Sequence, residues 1–325
     1  MKKLNFAILC AGNIAGKMAK TVSQMNEVIP YAVAARELSR AQGMVDQYGF
    51  QKAYGSYEEL VSDPDVDLVY IASPHSHHYG HARLCLERGK HVLCEKPLTV
   101  NQKQAEDLFG LAESKGLFLS EAMWTRFMPF ADKLREILNS GVIGEPLTMT
   151  VSFGQDLRHI ERVVNPELAG GVLLDMGIYP LTFASMFFGS ELSQVQSACV
   201  KTARGVDSQD SVTLVFQNGR MAVLNFTFLC PYENRAVIYG DKGHIVLDNF
   251  YMAQAVQIYG KGEKDPKTVS LPHDFTGYEY EVRAAVKAIG SGKLACDEMP
   301  HAETLRLLGL MDQLRAEWGI HYPFE

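Results

Sequence analysis

The sequence predicts an α/β protein in two parts: a doubly wound parallel sheet, then an α+β domain built on an open, mostly antiparallel sheet. Three observations predict it. Over the first ~120 residues short apolar runs alternate with amphipathic stretches, as repeated βαβ units do. Beyond residue 145 longer strand-like runs follow one another with hairpin signals between them. And 325 residues exceed what one hydrophobic core usually fills, so two domains are expected.

The predicted strands of the first part are Phe6 to Cys10, Tyr31 to Ala35, Leu68 to Ala72, His91 to Cys94 and Leu117 to Leu119. Val69-Tyr70-Ile71-Ala72 is apolar throughout, as a strand buried on both faces should be. Helices are expected over Leu38 to Tyr48, Tyr57 to Val61, Gly80 to Arg88 and Asn101 to Ser114. In the second part Gln217-Asn218-Gly219-Arg220 is the strongest hairpin signal, because Asn-Gly accepts the positive φ angles of a tight turn. Asp241-Lys242-Gly243 is another, and Met221 to Phe228 alternates in part. Helices are expected over Leu173 to Phe188, Tyr278 to Ile289 and Ala302 to Trp318. The boundary falls near Trp124 to Pro129, giving domains 1–124 and 125–325, with the last helix packing back near the first domain.

Composition narrows the class. With 47% hydrophobic and 21% charged residues the chain is an ordinary globular one. A net charge of -7 and the lack of a basic run speak against nucleic acid as a partner. The six cysteines (Cys10, Cys85, Cys94, Cys199, Cys230, Cys296) are scattered, which favours free thiols in a reducing compartment. Met1-Lys2-Lys3 runs straight into a strand, and no apolar run reads as a membrane span, so a cytoplasmic protein without a membrane partner is expected.

Three places carry chemistry. The first strand ends in Cys10-Ala11-Gly12-Asn13-Ile14-Ala15 where a helix begins, the position of a Rossmann glycine loop. Gly12 leaves room for a pyrophosphate, and the helix N-terminus offers N–H donors and a positive dipole end. The second strand ends in Ala34-Ala35-Arg36-Glu37, with no carboxylate at its terminus for ribose hydroxyls. Arg36 and Arg40, one turn later, suit a 2′-phosphate instead, so NADP is expected ahead of NAD. The catalytic candidates are Lys96, in Cys94-Glu95-Lys96-Pro97 at a strand end, and the pair Asp175 and Tyr179, four apart and so on one helical face. A tyrosine moves a proton to or from a substrate oxygen if a cation lowers its pKa, and Lys96 would supply that cation; Lys96 could equally bind the nicotinamide ribose or be the proton donor itself.

These motifs together resemble the glucose–fructose oxidoreductase/inositol dehydrogenase (Gfo/Idh/MocA) family over nearly the full chain. The shared positions are Ala11 to Ala15, Ser73-Pro74-His75-Ser76-His77-His78, Glu95-Lys96-Pro97 and Asp175 to Tyr179. Ala34-Ala35-Arg36, Glu121 to Phe127 and tyrosine at 179 fit the dimeric dihydrodiol dehydrogenase branch, and NADP-dependent xylose dehydrogenases share the pattern. The resemblance implies that Lys96 and Tyr179 are the catalytic pair with Asp175 beside them. It implies that Ala11, Gly12, Asn13, Ile14, Ser73, Pro74, His75, His78, Glu95 and Lys96 meet the cofactor, with Pro74, His78, Glu95 and Lys96 along its nicotinamide side. Trp124, Arg126 and Phe153 are then cofactor or substrate-pocket residues. Cys10 departs from the family's first glycine and His75 from a common asparagine.

The implied activity is hydride transfer between nicotinamide C4 and a hydroxyl or carbonyl of a diol or sugar-like small molecule, in a homodimer or higher assembly. The alternative is a regulator that senses NAD(P) without turnover; a third reading is an enzyme on amine or tetrapyrrole substrates. No metal is expected: His75, His77, His78 and His81 are dense but lack a nearby carboxylate or thiolate. Arg158 and His159 read as loop residues, and Phe226, Phe228 and Tyr232 as core or interface.

Overall fold

The computed structural model describes residues 3–325; Met1 and Lys2, part of the N-terminus read above, lie outside the described residues. It divides into two compact units, 1–123 with 274–309, and 124–273 with 310–325.

The first unit alternates strands and helices: β1 (Leu4–Leu9), α1 (Asn13–Val22), β2 (Val28–Ala34), α2 (Leu38–Tyr48), β3 (Lys52–Tyr54), α3 (Tyr57–Ser62), β4 (Leu68–Ile71), α4 (His75–Glu87), β5 (His91–Glu95), α5 (Gln102–Lys115) and β6 (Leu119–Ala122). The strands pair in parallel in the order β3-β2-β1-β4-β5-β6. All of Leu68-Val69-Tyr70-Ile71 is buried, as its unbroken apolar run required. Strand β3 escaped the sequence reading because it is three residues long and opens on an exposed lysine. Helix α4 starts five residues before the expected Gly80, since Pro74 supplies the extended residue that precedes a helix. Local chemistry sets other ends. Ser56 and Asn101 side chains accept the N–H groups of Glu59 and Gln104, and Gly49 closes α2 with φ +75.

The second unit contains α6 (Trp124–Phe127), α7 (Pro129–Asn139), β7 (Pro146–Gly154), α8 (Glu161–Val164), a π-helical turn (Leu173–Gly177) continuing into α9 (Ile178–Phe188), and β8 (Leu192–Lys201), β9 (Asp207–Phe216), β10 (Met221–Thr227), β11 (Arg235–Gly240), β12 (Gly243–Asp248), β13 (Ala255–Gly260) and β14 (Lys267–Ser270). Its eight strands lie in the order β14-β13-β12-β11-β7-β10-β9-β8. Every pairing is antiparallel except β7 with β10. At Asn218-Gly219 only the glycine has positive φ, so the hairpin is a wider turn closed by Phe216 N–H on the Arg220 carbonyl at 2.9 Å. The Asn218 side chain donates to the Phe188 carbonyl, fastening that turn to the end of α9. Between Gly240 and Gly243 no residue has positive φ.

Two expectations are corrected. The single boundary near Trp124 misplaces 274–309, which belong with the parallel sheet: α10 (Glu279–Gly290) and the first half of α11 (His301–Trp318). Long-range polar contacts hold them there. Arg283 pairs with Glu27 at 2.7 Å, Leu119 N–H donates to the Leu294 carbonyl, and the Thr304 hydroxyl donates to Glu121 at 2.9 Å. Periodicity reports a helix's face but not its partner, so these helices looked like the end of the second domain. The other correction concerns length: the 23-residue stretch Pro166–Phe188 is long and apolar enough to cross a bilayer. Most of it is buried inside the protein, and it carries the ionisable Asp175, as the core helix of its unit. A Cβ at Gly177 would lie 2.5 Å from the fully buried Phe226 ring, so this glycine lets the helix approach the sheet.

Candidate active site

In the first unit the strand order reverses between β1 and β4, and in such sheets ligands bind beyond the carboxyl ends at that point. The predicted cofactor residues cluster at those ends. Cys10 follows β1 with φ +87, a conformation glycine takes freely, so the cysteine occupies the geometry of the glycine it replaces. Its N–H donates to the Ala34 carbonyl at 3.0 Å. Gly12 then caps α1 in extended backbone, with no side-chain cap and no acidic residue in the first turn. The opening N–H groups of α1, from Asn13 and Ile14 onward, therefore lack the usual side-chain acceptor. A Cβ at Gly12 would meet nothing within 4 Å, so nothing inside the fold demands glycine there. The bare backbone leaves room for an anionic group, and the uncapped donors suit the pyrophosphate of a dinucleotide.

The Arg40 guanidinium donates to the Ala11 carbonyl at 2.7 Å, which ties the first turn of α2 to the glycine loop. Arg36 is exposed, and its charge helps hold the His77 and His81 pKa values down, after burial. Ser73, Pro74 and His75 form the turn from β4 into α4. His78, carried to the cofactor by resemblance, is fully buried with both ring nitrogens on backbone carbonyls, Pro97 at 2.7 Å and Ser73 at 2.8 Å. Burial pushes its pKa down to about 4. A neutral ring has one N–H, so His78 donates to one of these two carbonyls at a time and sits enclosed between the two turns. His81 bonds the Ser73 hydroxyl at 2.9 Å. Among the described residues no group of three metal-binding side chains forms.

Lys96 follows β5, and the Lys96–Pro97 peptide is cis. Three carboxyl groups frame this turn. Glu95 accepts the Tyr70 hydroxyl and, at 3.2 Å, the Lys96 N–H. Glu121 accepts the Leu98 N–H and the Thr304 hydroxyl, each at 2.9 Å. Glu281 of α10 is fully buried, and burial followed by repulsion from Glu95 drives its carboxyl well above the usual range. Sequence reading missed Glu281, since a lone glutamate in an amphipathic helix gives no sign of what it faces.

In the second unit Asp175 lies in the π-helical turn and Tyr179 in the first turn of α9. The sequence predicted an ordinary helix here; π turns recur at functional sites. Arg162 of α8 pairs with the buried Asp175 at 2.7 Å. No spacing rule links two residues on separate elements, so this partner was not legible. Tyr179 stands in an aromatic cradle, its ring 5.6 Å from both Phe153 and Tyr251. Phe153 stacks on Tyr251 at 4.8 Å, and Trp124 lies 6.1 Å from Tyr251. The predicted pocket residues Trp124 and Phe153 thus gather around Tyr179, and Tyr251 joins them unannounced. Asn249, at φ +49, begins the turn that carries it, and the Thr125 hydroxyl holds its carbonyl at 2.9 Å. Arg126 sits on α6, half-buried. Arg158 is exposed and paired with Asp156, and such surface pairs contribute about 0–1 kcal/mol. Phe226 and Phe228 are core, and Tyr232 is exposed.

Comparison with known proteins identifies the family. Residues 4–123 match the family model described as "Oxidoreductase family, NAD-binding Rossmann fold", and residues 131–246 match "GFO/IDH/MocA C-terminal domain". The trans-1,2-dihydrobenzene-1,2-diol dehydrogenase of Mus musculus is 35% identical over 327 residues, covering 98% of each chain. This chain belongs to the Gfo/Idh/MocA oxidoreductases. It is an NAD(P)-binding oxidoreductase. The corresponding dehydrogenase of Homo sapiens is 36% identical over 301 residues, 90% of this chain and 89% of that one. Among solved structures, the 3-ketoreductase KijD10 of Actinomadura kijaniata, bound to NADP and TDP-benzene, matches this family member with a TM-score of 0.87 at 26% identity, over 97% and 98% of the two chains. An aldose–aldose oxidoreductase of Caulobacter crescentus has the same fold, with a TM-score of 0.87 at 22% identity.

The open space at Gly12 yields a direct test. Gly12→Ala should leave the thermal midpoint of the cofactor-free protein unchanged and weaken NADP binding roughly tenfold. A matched loss of stability would show that the fold, and not a ligand, requires the glycine.

Proposed function

We propose that the chain catalyses reversible, NADP-linked oxidation of a vicinal diol or sugar hydroxyl, or reduction of the matching carbonyl. The setting of Tyr179 carries this reading: its ring stands in an aromatic cradle, one helical turn from the buried Asp175 and its partner Arg162. The curated relatives named for a dihydrodiol and the NADP-bound sugar ketoreductase point to the same class of substrate. Bound nicotinamide supplies the hydride acceptor or donor at its C4. Tyr179 takes the hydroxyl proton as the alcohol is oxidised and returns it in reduction, so each turnover moves one hydride and one proton. Lys96 is the second catalytic residue, a cation of the kind that favours a tyrosinate. Asp175, paired with Arg162, fixes the polarity beside the hydroxyl. The uncapped start of α1 holds the pyrophosphate, and Arg36 with Arg40 takes the 2′-phosphate.

The presence in the chain of both Lys96 and Tyr179 favours catalysis over cofactor sensing, which needs neither group. The open face of the antiparallel sheet carries Tyr239, His244 and Tyr259, with ring centroids 5.8 and 4.6 Å apart, and this face is read as the homodimer surface.

Tyr179→Phe should bind cofactor normally and lose about 10²- to 10⁴-fold in kcat, measured by nicotinamide absorbance with diols and aldoses. A near-normal kcat would move the proton-transfer role to Lys96. Arg36→Ala should weaken NADP about tenfold or more while sparing NAD, and unchanged relative affinity would exclude the 2′-phosphate role. Light scattering should return twice the mass of one chain; a monomer would remove the dimer.

A further inference from the structure

Strand β9 carries two carboxyl groups into the interior of the second unit, Asp207 completely buried and Asp210 nearly so. The Leu173 N–H, at the head of the π turn, donates to Asp207 Oδ2 at 2.5 Å. That helix has no side-chain cap of its own, so a carboxylate from a distant strand takes the place of the usual local serine or aspartate. Gly171 makes room for it: its φ is +126, and a Cβ there would lie 2.1 Å from Asp207 Oδ1. One residue earlier the Tyr322 hydroxyl donates to the Gly170 carbonyl at 2.9 Å.

Asp210 sits between Cys199 of β8 and Phe226 of β10. No N–H reaches either of its oxygens; the polar groups against it are the Asp207 carboxyl and the Cys199 thiol. Two ionised carboxylates in contact inside a dry core repel and lack solvent, whereas one proton between them makes a strong O–H···O⁻ bond. The donor pattern places that proton. Asp207 has the Leu173 N–H and the nearby charge of Arg315, while Asp210 has neither, so Asp210 is the neutral member. Burial and the adjacent Asp207 push the Asp210 carboxyl up to about 10. Burial and Asp210 raise the Cys199 thiol, burial raises the Tyr322 hydroxyl, and Lys201 and Glu325 complete the surrounding charges.

We propose that Asp207 and Asp210 share one proton as an acid pair that anchors the amino end of the helix bearing Asp175 and Tyr179. Both are thus positioning residues for the proton-transfer hydroxyl. This rests on the reading of Tyr179 given above. It assigns the geometry of Tyr179 to a group remote from its aromatic cradle.

The test compares Asp207→Ala, Asp207→Asn and Asp210→Asn by hydrogen exchange over residues 171–180 and by steady-state kinetics. In Asp207→Ala, exchange there should speed up about tenfold and kcat fall about tenfold, with NADP dissociation unchanged because the glycine loop, Arg36 and Arg40 belong to the other unit. Asp207→Asn keeps an acceptor for the Leu173 N–H, and Asp210→Asn supplies a permanent donor in place of the proton. Both should restore kcat to within about threefold of the parent.

A pH readout is independent of catalysis. Folded Asp210 holds a proton that the unfolded chain releases near its ordinary 3.8, so its contribution to stability should be greatest below that value and fall towards pH 10. Asp210→Asn should flatten this decline, and it keeps the test open if Asp207→Ala does not fold. Equal pH slopes in parent and Asp210→Asn, or unchanged exchange in Asp207→Ala, would overturn the acid pair. Faster exchange with undiminished kcat would overturn the positioning role. Full activity in Tyr179→Phe would instead sink the catalytic assignment, while exchange and pH slope would still report on the pair.

Discussion

A parallel sheet covered by helices on both faces sends each of its chain reversals to one of two edges, and the first unit depends on that constraint. With β1 and β4 side by side, the turns after β1, β4 and β5 leave from the same edge. The glycine loop, the Ser73-Pro74 turn and the Glu95-Lys96-Pro97 turn are therefore neighbours without being close in sequence. His78, with no access to solvent, is packed between the carbonyls of Ser73 and Pro97 and donates its single N–H to one of them at a time.

The second unit solves a different problem: how to bury an apolar helix that must also carry charge. The helix packs against the sheet through Gly177 and Phe226, and its polar groups are met one by one. Arg162 answers Asp175, and Asp207 answers the buried Leu173 N–H at the helix start. An uncompensated charge at such depth would cost several kcal/mol, so each partner is a condition of the arrangement. The aromatic cluster of Trp124, Phe153, Tyr179 and Tyr251 fills the remaining space with rings that have few rotamers to lose.

Much of this was legible beforehand. Leu38–Tyr48 was bounded correctly because its apolar spacing and Gly49 both mark it. The glycine loop after β1, the Lys96 turn after β5 and the helical stretch bearing Asp175 and Tyr179 were legible as segments because turn chemistry and apolar periodicity are local. Strand β3 was not, being too short to show a period. The π turn was not either, since tertiary packing rather than propensity inserts the extra residue. Tyr251, Arg162, Glu281 and the Asp207–Asp210 pair were invisible for one shared reason: each acts through a partner on another element.

The sequence by itself determined the fold class, the glycine loop and the residue types available for hydride and proton chemistry, because periodicity and turn chemistry are local properties of the chain. Only the tertiary structure decided that residues 274–309 return to the parallel sheet, that His78 is enclosed between two turns, and which carboxyl groups lie buried against one another. These depend on which surfaces meet, and burial converts an ordinary side chain into a neutral acid or an enclosed hydrogen-bonding group only once the neighbours are in place.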